Sequence, residues 1–100
     1  VPFLAKWPSQ IKKGTRFLSP IHHIDIFHTI AAAAGASVPK DRKLDGVDLI
    51  PYIQGENKEK PHKTLFWREG HHQSVLHKGW KLIKADRPDK RWLFNLDKDP

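Results

Sequence analysis

The sequence predicts an α+β fold: a small antiparallel sheet of about four strands, with one longer and one short helix packed on it. Three observations predict this. Between Lys63 and Leu96, short aromatic and β-branched runs follow one another, each bounded by Gly, Pro, Asp or Asn. Upstream, Ile21, Ile24, Phe27 or His28, Ala31 and Ala34 recur at helical spacing and lead into Gly35. A shorter helical stretch then lies between Asp48 and Gly55. The predicted organisation is one segment, 1–100, made of a strand and turn over 1–18, a helical part over 19–55 and an antiparallel meander over 63–96.

Val1-Pro2-Phe3-Leu4-Ala5-Lys6-Trp7-Pro8 reads as a buried strand, because it is nearly continuously apolar and is stopped by a proline that cannot donate to a ladder. Ser9 to Phe17 is a polar turn around Gly14. Ser19 as N-cap and Pro20 as first helical residue predict a helix from about Pro20 to Ala34. Its small alanines predict that the C-terminal half packs closely on another element, and Gly35 supplies the residue that ends it. Ala36 to Lys43 is a loop. Asp45-Gly46 makes a turn, and Asp48 caps a short helix whose first turn tolerates Pro51 and which Gly55 ends.

The meander opens with Thr64-Leu65-Phe66-Trp67-Arg68 and Ser74-Val75-Leu76-His77, and closes with Trp80-Lys81-Leu82-Ile83-Lys84 and Arg91-Trp92-Leu93-Phe94-Asn95-Leu96. Lys78-Gly79 is a two-residue connection that predicts a hairpin. Trp80, Leu82, Val75 and His77 fall on one face, which is expected to be covered by the rest of the chain. Trp80 and Trp92 are expected in the core, and the role of Trp67 stays open.

Composition restricts the function classes without choosing one. Lys and Arg number 18 against 11 Asp and Glu, a net charge of +7 with seven His in reserve. That balance suits an anionic partner such as nucleic acid, a sulfated sugar or an acidic protein surface. The basic residues are scattered from Lys6 to Lys98, which argues against a nucleic-acid helix. There is no Cys, hence no disulfide, thiolate nucleophile or Cys-based metal site. No apolar run reaches the length of a membrane-spanning helix. The opening inside an apolar run and the stop after a strand read as an excerpt of a longer protein.

Among candidate sites, His22, Asp25 and His28 stand at i, i+3 and i+6, too far apart for easy chelation by one helix. Asp25 is expected to satisfy the helix start, with His22, His23 and His28 at the surface. His71 and His72 precede a strand and point to opposite sides if extended. Beside Arg68, in the turn from Arg68 to Gln73, they are candidate donors to an anionic substrate group. Ser37-Val38-Pro39-Lys40-Asp41-Arg42 has Arg one position late for a Ser-x-Pro-x-Arg nucleophile signature and is read as a loop. No Ser–His–Asp order, carboxylate pair or glycine-rich phosphate loop is present.

Several segments, in order, resemble the carboxy-terminal part of the sulfatase family, the arylsulfatase-type sulfuric ester hydrolases. Val1 to Pro8 is similar to the family's run ending in Trp-Pro-Gly, with Ser9 in the Gly place, and Gln10-Ile11-Lys12-Lys13-Gly14-Thr15 continues it. His23-Ile24-Asp25-Ile26-Phe27-His28-Thr29-Ile30 resembles the His-x-Asp-x-x-Pro-Thr helix, with His28 where the family usually has Pro. Leu44-Asp45-Gly46-Val47-Asp48-Leu49 resembles the Asp-Gly-x-Asp/Ser-Leu turn. Leu65-Phe66-Trp67-Arg68, Trp80-Lys81-Leu82-Ile83 and Leu93-Phe94-Asn95-Leu96-Asp97-Lys98-Asp99-Pro100 match the closing strands.

The resemblance implies a parent enzyme that hydrolyses sulfate esters through a formylglycine, made from Cys or Ser within Cys/Ser-x-Pro-x-Arg, and a calcium ion held by Asp and Asn. Those elements lie upstream in the family, and none maps onto this chain. No catalytic, cofactor-binding or metal residue is therefore expected here, and the isolated chain is expected to be inactive. The implied partners are an amino-terminal sulfatase domain and a sulfated substrate, with Arg68, His71 and His72 as substrate-binding candidates. The implied location is exported or lysosomal. Two other readings start from the residues: a stand-alone basic module for nucleic acid or sulfated glycan, and self-association through the exposed apolar strand.

Overall fold

The structure is a computed structural model and describes residues 2–99. Two helices precede an all-antiparallel four-stranded sheet: α1 (Ile24–Ala33), α2 (Ile50–Ile53), then β1 (Thr64–Glu69), β2 (His72–His77), β3 (Trp80–Asp86) and β4 (Asp89–Asn95), in spatial order β1-β2-β3-β4. The fold class is the α+β class that the sequence predicts. The chain forms two compact units, Val1–Pro61 with the helices and His62–Pro100 with the sheet.

Of the strand expected over 1–8, the described residues 2–8 form none. Residues 2–7 adopt no regular structure, and Val1 lies outside the described residues. A strand needs a partner for its ladder, and two prolines in this run remove donors. The Trp7 carbonyl instead accepts the amides of Gln10 and Ile11, at 2.9 and 2.7 Å, in a turn.

Helix α1 begins four residues later than Ser19-Pro20 predicts. Its entry is set by Asp25, whose Oδ2 accepts the His22 amide at 2.8 Å. His22 precedes the N-cap residue His23, so the carboxylate reaches back to hold the chain where it enters the helix. At the other end, Gly35 adopts φ +65, its amide donates to the Ala32 carbonyl, and the Ala36 amide donates to the Ala31 carbonyl. This pair of bonds is the Schellman motif, and Gly35 has the place in it that the sequence assigns. The alanine-rich half is exposed from Ala32 onward, contrary to the close packing expected. Helix α2 follows Asp48, whose Oδ1 accepts the Ile50 amide at 3.0 Å, and carries Pro51 in its first turn.

In the sheet, Lys78 and Gly79 both take positive φ, +48 and +80, and join β2 to β3 as the predicted two-residue hairpin. The Lys78-Gly79 turn fixes the register: Val75 lies opposite Leu82 and His77 opposite Trp80. Directly opposed residues share a face. That face carries Thr64, Phe66 and Arg68 on β1, with Leu82, Lys84 and Leu93 among its residues on β3 and β4.

Within the sheet unit this face is left open. Phe66 is 71% exposed, Leu93 62% and Trp80 49%. Trp92, on the other face, is 40% exposed, so neither Trp80 nor Trp92 is a core residue. The buried residues of the sheet, Leu65, Leu76 and Ala85, also project from the face opposite Phe66. Period-two patterning marks an apolar face correctly here but does not say which residues outside the segment cover it.

Candidate functional site

Two constellations stand out, one in each unit. In the first unit Asp25 is fully buried, with 0% exposure. Its second oxygen, Oδ1, accepts the Val47 amide at 3.0 Å. One turn on, the Thr29 hydroxyl donates to the Asp25 carbonyl at 2.8 Å and accepts the Leu49 amide at 3.1 Å. Asp25 and Thr29 thus clamp the segment Val47–Leu49 onto α1, and Leu49 is 1% exposed beneath them. Gly46 runs so close to α1 that a β-carbon there would collide with the Ile24 carbonyl and lie 2.7 Å from the His28 Nδ1.

The histidines around this clamp differ from one another. His22 is buried, against the surface position expected, and its ring lies 4.2 Å from that of the exposed His23. Its burial follows from Asp25 drawing the His22 backbone into the helix entry. His28 is half-buried against the Gly46 turn, and its Nδ1 makes no hydrogen bond. The carboxylate of Asp25 is engaged by two backbone amides. Among the described residues no group of three His, Asp or Glu side chains is placed to hold a metal ion.

The second constellation is on the open face of the sheet. A cleft of about 490 Å³ is floored by Phe66, Val75 and Leu82 and edged by Arg68, Gln73 and Lys84. Arg68 lies opposite Gln73, Gln73 opposite Lys84, and Lys84 opposite Arg91, so a basic row runs beside the apolar one. Lys84 Nζ pairs with Asp86 Oδ1 at 2.8 Å. The Lys84 hydrogen bond, and then its charge, hold the Asp86 carboxyl below the ordinary aspartate range, with smaller pulls from His71 and Arg68. The Asp86 amide also donates to the His71 carbonyl at 3.0 Å.

The structure therefore brings Arg68 and His71 together at the β1–β2 hairpin tip. His72 is placed apart from them, on the opposite face with Glu69 and Ala85. Sequence reading missed Lys84 and Asp86. The signal for Lys84 was available, since a two-residue turn at Lys78-Gly79 puts Lys84 opposite Gln73. Asp86 was not accessible in the same way, because it belongs to a part of β3 that extends beyond the predicted strand. Chemically, the rim is a cluster of cations and imidazole suited to an anion, partly neutralised by its own carboxylate.

A helical segment held by the buried Asp25 and the half-buried Thr29 precedes a four-stranded meander with a basic rim, an α+β chain. Residues 1–100 match the family described as N-sulphoglucosamine sulphohydrolase, C-terminal. The chain belongs to that family. Steryl-sulfatase of Rattus norvegicus is 33% identical over the whole chain, which covers 17% of that protein. Steryl-sulfatase of Homo sapiens is 41% identical over 66 residues, covering 66% of this chain and 11% of that protein. The chain thus spans less than a fifth of the length of these relatives. In structure, a putative sulfatase from Bacteroides thetaiotaomicron superposes with a TM-score of 0.59 at 24% identity, over 76% of this chain and 18% of the other. A 2-O GAG sulfatase superposes with a TM-score of 0.57, also at 24% identity, over 76% of this chain and 18% of that one. These two likenesses concern the fold.

Proposed function

We propose that this chain is the carboxy-terminal part of a sulfatase whose parent hydrolyses sulfate esters, with formylglycine and calcium supplied by an amino-terminal domain. Its own contribution is packing and an edge of the substrate pocket. The residues present do not fit the calcium site: the Asp25 carboxylate is taken up by backbone amides, and the Asp86 carboxylate by Lys84. No step of the reaction is assigned to them.

The observation that supports the pocket-edge role is an apolar cleft with Arg68 and Lys84 on its border and His71 in the adjoining β1–β2 turn. A guanidinium offers a planar fork to an anionic or hydroxylated group, and an imidazole near neutrality adds a donor. His72, on the opposite face, is left out of this contact set.

In the full-length enzyme, Arg68→Ala is expected to raise KM about tenfold, the lower range for a hydrogen bond to a charged group, with kcat within about twofold. His72→Ala is expected to leave both unchanged. Steady-state kinetics on an aryl sulfate check this, and an unaltered KM in Arg68→Ala would remove the pocket-edge role.

A further inference from the structure

Residues 1–24 hold four Lys or Arg and no Asp or Glu, so this stretch has no carboxylate of its own to neutralise it. The first acidic residue, Asp25, is buried and gives both oxygens to backbone amides. Three of the four charges, Lys12, Lys13 and Arg16, lie in or beside one turn. The amide and the hydroxyl of Thr15 both donate to the Lys12 carbonyl, at 3.2 and 2.8 Å. Gly14 takes φ +78, as the third residue of a type II turn requires.

Such a turn brings Lys12 and Thr15 within about 7 Å of each other, so the three cationic side chains start from one small surface. The loop is also pinned. The Gln54 side-chain amide donates to the Gln10 carbonyl and to Gln10 Oε1, both at 2.9 Å, and the flanking Ile11 and Phe17 are half-buried. Lys6, Lys12, Lys13 and Arg16 are exposed, and among the described residues none of them forms a salt bridge.

The composition of the turn selects the kind of partner. Residues 12–16 include no apolar side chain, whereas a protein interface needs aromatic or aliphatic anchors at its centre. Single-stranded nucleic acid needs exposed rings to stack on, and the nearby Trp7 and Phe17 are half-buried. Clustered, unpaired ammonium and guanidinium groups suit a linear polyanion without bases, held by charge and by charge-assisted hydrogen bonds. We infer that the turn from Lys12 to Arg16 is a binding site for an anionic polysaccharide whose charged groups are sulfates. The choice of sulfate rests on the proposed sulfate-ester hydrolysis, while the site itself uses none of the pocket-edge residues.

The test is binding of a fluorescent heparin octasaccharide to the full-length protein, followed by anisotropy. Affinity is expected to fall as salt rises, with a log–log slope of about −2 to −3 for three released counterions. The variant Lys12→Ala, Lys13→Ala, Arg16→Ala is expected to bind at least about tenfold more weakly at physiological salt. Lys40→Ala, Lys43→Ala, Lys58→Ala removes the same charge from exposed positions elsewhere in the helical unit and is expected to stay within about twofold. Lys12→Arg, Lys13→Arg, Arg16→Lys keeps the charges and is expected to stay within about threefold, which separates loss of charge from misfolding. Removing the sulfates from the octasaccharide is expected to weaken binding at least about tenfold. Absence of binding, an equal loss in all three variants or in the two alanine variants, or undiminished binding after desulfation would overturn the inference. So would displacement of the octasaccharide by an oligothymidylate or by phosphatidylserine vesicles at an equal or lower concentration of negative charge. Binding is read without turnover, so it can fail while the Arg68→Ala kinetics hold, and the reverse.

Discussion

Asp25 shows how a single side chain can organise a segment. Its two oxygens accept amides from His22 and Val47, residues on either side of α1 in the chain. Thr29 repeats the device one turn along. The family's His-x-Asp-x-x-Pro-Thr pattern thus has a physical reading here: Asp25 and Thr29 are the anchors, and the turn at Asp45-Gly46 is what they hold. His28, in place of the family's Pro, leaves the helix continuous. Gly46 completes the fit, because any β-carbon would meet the Ile24 carbonyl. Gly46→Ala is expected to destabilise the protein by about 1–3 kcal/mol, the usual cost of overpacking. Urea unfolding measures it, and a change below about 0.5 kcal/mol would mean that the contact relaxes freely.

At the scale of elements, the Asp86 amide ties the end of β3 to the His71 carbonyl at the hairpin tip, while its carboxylate pairs with Lys84 on the same strand. Asp86 has its folded-state pKa lowered, first by its hydrogen bond to Lys84. A carboxyl with a depressed folded pKa adds stability that is present above its unfolded pKa and is lost as pH falls through the folded one. The contribution of Asp86 is therefore expected to fade only on acidification below the ordinary aspartate range. Asp86→Asn should remove this contribution, small because the pair is exposed, at neutral pH and match the unaltered protein in acid, so that the acid limb is shallower. Unfolding followed as a function of pH checks this, and an unchanged acid limb in Asp86→Asn would contradict it.

The elements themselves were largely legible in the sequence. Alternation gave the strands, Lys78-Gly79 gave the central register, and Gly35 gave the end of α1. What was not legible depended on distant partners. Ser19-Pro20 has the local chemistry of a helix start, yet Asp25 sets the entry further along. The apolar run before Pro8 has strand character but no ladder to join. Arg68 and His71 were singled out from residue type alone. Their grouping with Lys84 and Asp86, and their separation from His72, came from the register of the sheet.

At the scale of the whole molecule, the described residues bury few large apolar side chains: Leu49 in the helical unit, Leu65 and Leu76 in the sheet. Within the sheet unit the apolar face with Phe66 and Leu93 is exposed. None of the helices among the described residues is long and apolar enough to cross a membrane. The family match and the short share of each relative that the chain covers support the proposed role as a supporting part of a larger sulfatase.

The most direct test of that account measures sulfate release from an aryl sulfate by residues 1–100 alone and by the full-length protein. Circular dichroism would verify that the shorter chain is folded. The account predicts turnover by the full-length protein and none above the uncatalysed rate by residues 1–100. Sulfate release by the folded 100-residue chain would contradict it.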